Sequence, residues 1–146
     1  MKKRLLLVLC GLSFIALSIQ GQVTLLHEFA GGIDDGKWPY GDLLISGSTL
    51  YGMTHLGGNG NLGTIFKMQF DGSDFTPLHR FAGPPVDGQH PVGNLILFGS
   101  TLYGMTNYGG KSHMGTIFKI QTDGSGFALV HSFAGGATDG RYPNGS

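Results

Sequence analysis

Short apolar runs separated by glycine-rich turns recur along most of this chain. They are rich in β-branched and aromatic residues, which are the residue types enriched in strands. In the first half of the chain the runs cover residues 42–47, 49–54, 63–69 and 75–81. In the second half they cover residues 94–99, 101–106, 115–121 and 127–133. The pattern therefore predicts two sets of four β-strands.

The two sets belong to an internal repeat of about 52 residues. Aligning residues 27–78 with residues 79–130 without a gap leaves roughly 29 of 52 positions identical. A third unit begins and the chain ends within it, so we interpret the chain as a fragment. We divide it into a leader (1–21) and a repeat region (22–146). The repeat region comprises a lone fourth strand (23–29), repeat one (30–81), repeat two (82–133) and a truncated repeat three (134–146).

Four strands in a unit of this length are typical of a β-propeller blade. Ile65, Phe66 and Met68 place apolar groups on both sides of one strand, as expected for a sheet covered on both faces. The sequence predicts an all-β fold of propeller-like blades in an incomplete ring. A β-solenoid is the alternative, because the 27 glycines suit its turns equally well. Open blade edges should leave the chain poorly stable alone or prone to associate with itself.

The N-terminal segment has the form of a secretory signal peptide. Three basic residues at 2–4 precede an apolar run at 5–19, which is short for a bilayer span. We predict a signal peptide at 1–21 and a secreted or cell-surface protein, with an uncleaved membrane anchor as the alternative. Without the leader, six basic and nine acidic residues remain, which argues against a nucleic-acid partner. The single cysteine, Cys10, lies in the leader, so no disulfide framework is expected.

Two polar positions recur with the repeat. Aspartates before glycine stand at Asp35, Asp87 and Asp139, and histidines stand at His27, His79 and His131. A ring of either type would suit a metal, but aspartate before glycine is also common turn chemistry. We interpret the aspartates as turn residues and the histidines as packing residues bonded to a neighbour's backbone, since no second ligand type follows the histidines. We predict no metal, no cofactor and no catalytic residue in this chain.

Sequence differences between the units cluster in segments that we predict to be loops. Residues 37–40 correspond to 89–92 and 141–144, while 55–56 and 59–62 correspond to 107–108 and 111–114. Variable loops on a repeated scaffold often carry binding specificity, although ordinary loop drift explains the same variation. Aromatic and imidazole rings there offer contact area with a polar tip. The candidate binding residues are Trp38, Tyr40, His90, Tyr108 and Tyr142.

One combination of motifs resembles a known family. The residues are L-Y-G-M-T at 50–54, Gly57-Gly58, G-T-I-F-K at 63–67 and Asp71-Gly72, with Asp35-Gly36 and Pro39 upstream. Together they resemble the GloVer repeat of the bacterial choice-of-anchor tandem repeat proteins. The resemblance implies a secreted or surface protein of several repeats, with no catalytic residues to transfer.

We predict a binding, adhesive or structural module whose partner is an extracellular glycan or protein, with no membrane span in the mature chain. A fragment of a secreted carbohydrate-active enzyme with a propeller fold is the alternative.

Overall fold

The computed structural model describes residues 23–145, which contain nine β-strands. They are β1 (Gly36–Pro39), β2 (Leu44–Ser46), β3 (Thr49–Gly57), β4 (Thr64–Gln69), β5 (Thr76–Arg80), β6 (Gly88–Phe98), β7 (Thr101–Gly109), β8 (Thr116–Gln121) and β9 (Ala128–Ser132). The described helical structure is one short 3-10 turn at Asn59–Asn61. In this part of the chain no helix has the length and apolar character needed to cross a membrane.

The strands form two antiparallel sheets, one for each repeat. The first sheet has the order β1-β3-β4-β5, with β2 also pairing with β3, and the second has the order β6-β7-β8-β9. In the first sheet β1 and β2 both pair with β3, and in the second sheet the single long strand β6 takes both places beside β7. The pairing register of β6 with β7 shifts between Val92 and Ile96. The all-β repeat prediction is therefore confirmed. Pairing stays within one unit, which differs from the stacking of strands between successive units in a β-solenoid.

The first strand of each sheet begins earlier than the sequence predicts. Residues 36–39 and 88–92, which we placed in loops, belong to β1 and to the first half of β6. Gly36 and Gly88 lie against the side chains of Thr54 and Thr106, where a Cβ atom would have no room. A strand built from glycine and proline shows no apolar alternation, so the hydrophobic pattern does not reveal it.

The segment 23–29, predicted as a lone strand, is not a strand in the structure. In the later units the corresponding strands, β5 and β9, pair with β4 and β8 of their own sheets. The strand that would pair with residues 23–29 in the same way, at the repeat position of β4 and β8, does not lie among residues 23–145. The segment instead packs through Leu26 and Phe29 on one face of the first sheet.

Each sheet has two apolar faces that differ in composition. We call one the phenylalanine face: Leu50, Phe66 and Met68 in the first sheet, and Leu102, Phe118 and Ile120 in the second. We call the other the tyrosine face: Tyr51, Met53 and Ile65 in the first sheet, and Tyr103, Met105 and Ile117 in the second. The main core lies where the tyrosine face of the first sheet packs on the phenylalanine face of the second. The sheets are therefore joined face to face through two different surfaces.

Buried threonine pairs hold the long strands of each sheet together near one end. The hydroxyls of Thr54 and Thr64 are 2.8 Å apart, and those of Thr106 and Thr116 are 2.7 Å apart. Thr54 and Thr106 also donate to the carbonyls of the residues two positions later, at 2.8 Å in both sheets. These bonds fix the backbone at 55–56 and 107–108, which we predicted to be loops and which instead belong to strands β3 and β7.

Candidate binding surface

An aromatic or histidine residue precedes a proline at the same position in all three units, and its backbone is strained each time. Trp38, His90 and Tyr142 have φ of 56°, 56° and 50°. This left-handed region is uncommon for any residue except glycine, and the residue before proline normally prefers an extended conformation. Such outliers cost of order 1–3 kcal/mol each and are concentrated at functional sites.

Bonds to the preceding unit stabilise this strained backbone. The amide of His90 donates to the carbonyl of Leu62 at 2.8 Å, and the amide of Tyr142 donates to that of Met114 at 2.7 Å. Leu62 and Met114 hold the same position in successive units, so the contact repeats along with the strain. The unusual conformation is thus a regular part of the junction between units.

The structure brings rings from all three units into successive contact, and we call this series the aromatic row: Tyr40, His55, His90, Tyr108 and Tyr142. Successive ring centroids lie 6.0, 4.8, 6.1 and 5.3 Å apart. At the centre the imidazoles of His55 and His90 are stacked, with 25° between their planes. These separations are those of aromatic rings in mutual contact.

Four of the five predicted binding residues therefore lie together in this row. Trp38 is the exception: it is 61% exposed, and its described ring contact is with the ammonium of Lys37 at 5.7 Å. His55 was missed by the sequence analysis because its unit-two counterpart is Asn107, so no aromatic pattern singles it out. The only signal was that position 55 differs between the units.

The row is anchored on one side and open on the other. Tyr40, Tyr108 and Tyr142 remain 48%, 42% and 41% exposed, so each of these residues has a large accessible surface. His90 Nδ1 lies 3.1 Å from the carbonyl of His55, and His55 Nδ1 lies 3.4 Å from that of Pro91. In the next unit Asn107 replaces His55 and donates to the carbonyl of Pro143 at 3.1 Å.

The centre of the row favours the uncharged imidazole. Burial lowers the pKa of His55 below its ordinary value of 6.5, and the neighbouring His90 lowers it further, against the opposing effect of the bond to Pro91. At neutral pH His55 is therefore neutral and presents an apolar ring face. This part of the surface suits an uncharged ligand better than a strongly anionic one.

The recurrent histidines and aspartates form pairs, which corrects one prediction. Nε2 of His27, His79 and His131 lies 3.1, 2.9 and 3.1 Å from the carboxylates of Asp35, Asp87 and Asp139. The histidines therefore bond to a side chain eight residues later and not to a neighbour's backbone. The aspartates do follow the histidines at a constant spacing, contrary to our statement that no second residue type does so.

The aspartates also serve as turn residues, as predicted. Asp35 accepts the amides of Ala30 and Gly36, both at 2.7 Å, in addition to the imidazole of His27. Burial acts to raise the pKa of Asp35, but these three hydrogen bonds outweigh it and lower the pKa below 3.8. The pairs at Asp35 and Asp87 close the loops that lead into β1 and β6, and the pair at Asp139 closes the equivalent loop of the third unit. Within residues 23–145 no three His, Cys, Asp or Glu side chains are grouped closely enough to hold a metal ion.

Comparison with known proteins agrees with the motifs. A search of curated proteins finds no match to this chain. The sequence profile of the Gloeobacter/Verrucomicrobia repeat family matches residues 13–146, which is nearly the whole chain and includes both sheets. The resemblance drawn from the L-Y-G-M-T and G-T-I-F-K motifs is thereby confirmed, and this chain belongs to the Gloeobacter/Verrucomicrobia repeat family.

Proposed function

We propose that this repeat protein is a secreted or cell-surface binding module whose aromatic row receives an extracellular glycan. The observation that carries the proposal is the series of half-exposed rings from Tyr40 to Tyr142. It crosses the junction between units and is supported by strained backbone that recurs with the repeat. Strain maintained at the same position three times favours a role beyond packing.

The chemistry of the row suits sugars. Tyrosine rings offer a flat apolar face to the C–H side of a sugar and a hydroxyl to its polar edge. The neutral imidazole of His55 adds a second flat face without a charge to desolvate. A series of five successive rings also suits an extended ligand that contacts several of them, such as a polysaccharide.

We further propose that the two sheets are neighbouring blades of a propeller. The support is that repeat-equivalent residues touch near one end of the sheets. The amide of Asp42 donates to Asn94 Oδ1 at 2.7 Å, and Asn94 Nδ2 donates to Asp42 Oδ2 at 3.0 Å. A Cβ added to Gly93 would lie 2.8 Å from the Cα of Gly145. Equivalent positions of units related by rotation come this close only near the rotation axis, so the axis passes beside these residues.

The binding proposal is tested with the full chain on a glycan array, followed by calorimetric titration of the sugars retained. Replacing Tyr108 or Tyr142 by alanine should weaken binding roughly tenfold each, since an aromatic anchor that is truncated commonly costs more than 1 kcal/mol. Phe70→Ala is the matched control, because Phe70 is 58% exposed and is no member of the row. Trp38 is the single tryptophan of the chain, so its fluorescence gives a second readout.

Two results would count against the proposal. One is the absence of any glycan binding by the folded chain, and the other is binding that Tyr108→Ala and Phe70→Ala weaken equally. Export is a separate question, which is answered by following residues 1–22 fused to a reporter enzyme through cell fractionation.

A further inference from the structure

We infer that a second copy of this chain docks on it head to tail. The incoming copy places the tyrosine face of its own second sheet on the phenylalanine face of the acceptor's first sheet. This contact already exists once inside the chain, between the tyrosine face of the first sheet and the phenylalanine face of the second. Within residues 23–145 one copy of each partner surface therefore has no second sheet packed on it. The inference does not rest on glycan binding, and the docking described below displaces a segment that contains Tyr142 of the aromatic row.

On the phenylalanine face of the first sheet Leu50, Phe66 and Met68 are buried under the segment 23–29 and Phe75, but the outer positions of the face are exposed. Leu95 of the second sheet is 5% exposed because the first sheet covers it, whereas the equivalent Leu43 of the first sheet is 46% exposed. Ile45, on the same face, is 59% exposed, while its counterpart Leu97 packs against the main core. The positions are equivalent in sequence and differ only in whether a neighbouring sheet is present.

A cavity marks the place where the missing side chains would fit. It has a volume of about 240 Å³ and is lined by apolar residues of the first sheet and its N-terminal segment, among them Leu26, Phe29, Leu43, Phe66 and Met68. In the second sheet the corresponding space is filled from the tyrosine face of the first sheet. The wall that the first sheet itself contributes, Leu43, Phe66 and Met68, is equivalent to Leu95, Phe118 and Ile120, which receive the tyrosine face inside the chain.

The unused tyrosine face shows the matching difference. Tyr51, Met53 and Ile65 of the first sheet are 7%, 3% and 0% exposed, but their second-sheet counterparts are all half-buried. Ile96 is 67% exposed, whereas the equivalent Leu44 packs against the core. An apolar groove of about 170 Å³ lies here, lined in part by Ile96, Tyr103 and Met105.

The contact joins two different surfaces, so each copy uses one face of each kind. A dimer in which each face met its own copy would have no example inside the chain. A heterologous contact repeats until rotation closes a ring or an open filament forms. The contact between units inside this chain thus serves as a template for the contact between copies.

Docking requires two short segments to give way. Residues 127–146 of the incoming copy hold the same repeat positions as residues 23–42 of the acceptor, so both cannot occupy one place. In the acceptor 23–29 form no strand, whereas the incoming copy's equivalent strand β9 is paired with β8. Conversely, β1 of the acceptor is paired with β3, whereas residues 134–145 of the incoming copy form no strand. In both overlaps the segment that is hydrogen-bonded to its own sheet stays in place. Residues 23–29 of the acceptor and residues 134–146 of the incoming copy are therefore displaced.

The test uses one lysine substitution on each face. In Leu43→Lys the phenylalanine face is blocked and the tyrosine face is intact, and in Ile96→Lys the reverse holds. By sedimentation equilibrium we expect wild type to show masses of two or more copies, and each variant alone to associate at least tenfold more weakly. An equimolar mixture of the two variants should form a dimer and stop there, because each chain contributes one intact face.

Val86→Lys is the matched control, since Val86 is 78% exposed and belongs to neither face, and it should associate as wild type does. All chains keep the N-terminal apolar segment, so its own association cannot mimic the difference between variants. Far-ultraviolet circular dichroism of the single variants checks that the sheets are intact. A chain ending at residue 133 should associate more tightly, because a displaced segment is gone.

The inference is overturned if wild type stays monomeric, if either lysine variant associates like wild type, or if the mixture of folded variants remains monomeric. Loss of association in the chain ending at residue 133 would also overturn it, because the contact would then run through residues 134–146. None of these outcomes bears on glycan binding, so the two proposals fail independently.

Discussion

The phenylalanine faces of the two sheets are nearly the same in sequence and differ in what covers them. In the second sheet Leu102, Phe118 and Ile120 are fully buried under another sheet. In the first sheet Leu50, Phe66 and Met68 are covered by the unpaired segment 23–29 and by Phe75. The aromatic contacts are conserved, since Phe66 lies 5.3 Å from Phe29 and Phe118 lies 5.3 Å from Phe81.

The comparison separates what a unit supplies from what its neighbour supplies. The strands of a sheet form within one unit. The burial of its innermost phenylalanine needs only that unit and the fourth-strand segment that precedes it. Burial of the outer positions, such as Leu95 against Leu43, depends on the next sheet. A repeat of this kind thus reaches its full stability only through nearest-neighbour contacts.

The largest expected difference between the two faces comes from removing the central ring. Phe118→Ala should lower the free energy of unfolding by about 3–5 kcal/mol, because the surrounding sheets cannot close on the cavity. Phe66→Ala should cost at least about 1 kcal/mol less, since the segment 23–29 is not hydrogen-bonded to a strand and can collapse inward. Urea titration of both variants measures the difference; equal losses would mean that the segment is as rigid as a paired strand.

A smaller loss of stability is expected when a methyl group is added to the phenylalanine face of either sheet. A Cβ atom on Gly104 would lie 2.5 Å from the ring of Phe118 and 3.1 Å from Leu95, both held in the main core. Gly104→Ala should therefore destabilise the chain by about 1–3 kcal/mol. In Gly52→Ala the obstructing groups are Phe66 and the exposed Leu43, which can move, so the loss should be smaller. Thermal unfolding of the pair tests this, and a larger loss for Gly52→Ala would contradict it.

The sequence predicted the strands whose apolar pattern is visible and missed those without one. Strands β4 and β8 were recognised from G-T-I-F-K, since both faces of those strands carry apolar side chains. Strand β1 was missed because Gly36 and Pro39 carry no apolar signal, and its position depends on close packing against Thr54. The segment 23–29 was predicted as a strand because its sequence matches β5, but strand formation requires a partner that the residues alone do not reveal.

The candidate binding surface was likewise predicted only in part from the sequence. Aromatic residues at variable positions could be selected from composition, and four of them lie in the row. That the row crosses from one unit to the next, through His55, follows from contacts between units and is not visible in either unit alone. The pairing of His79 with Asp87 was overlooked although both recur at constant spacing, because the two were considered as separate patterns.

The smallest expected effect compares the centre of the row with its counterpart in the next unit. His55 has a folded-state pKa below its ordinary value of 6.5, so the unfolded chain takes up this proton more readily. Stability from this group is complete above pH 6.5 and is lost as the pH falls through the lowered folded-state pKa. His55→Asn copies Asn107, which keeps a bond to the carbonyl of its proline without a titratable ring.

We therefore expect the variant to lose less stability than wild type when urea titrations at pH 7.5 are compared with titrations at pH 5. Asn107→His provides the reciprocal change, because it places an imidazole beside Tyr142 and Pro143 and should increase the acid sensitivity of the second junction. If His55→Asn and wild type lost the same stability on acidification, the pKa of His55 would be the same in the folded and unfolded chain. The statement that the centre of the aromatic row is neutral would then be wrong.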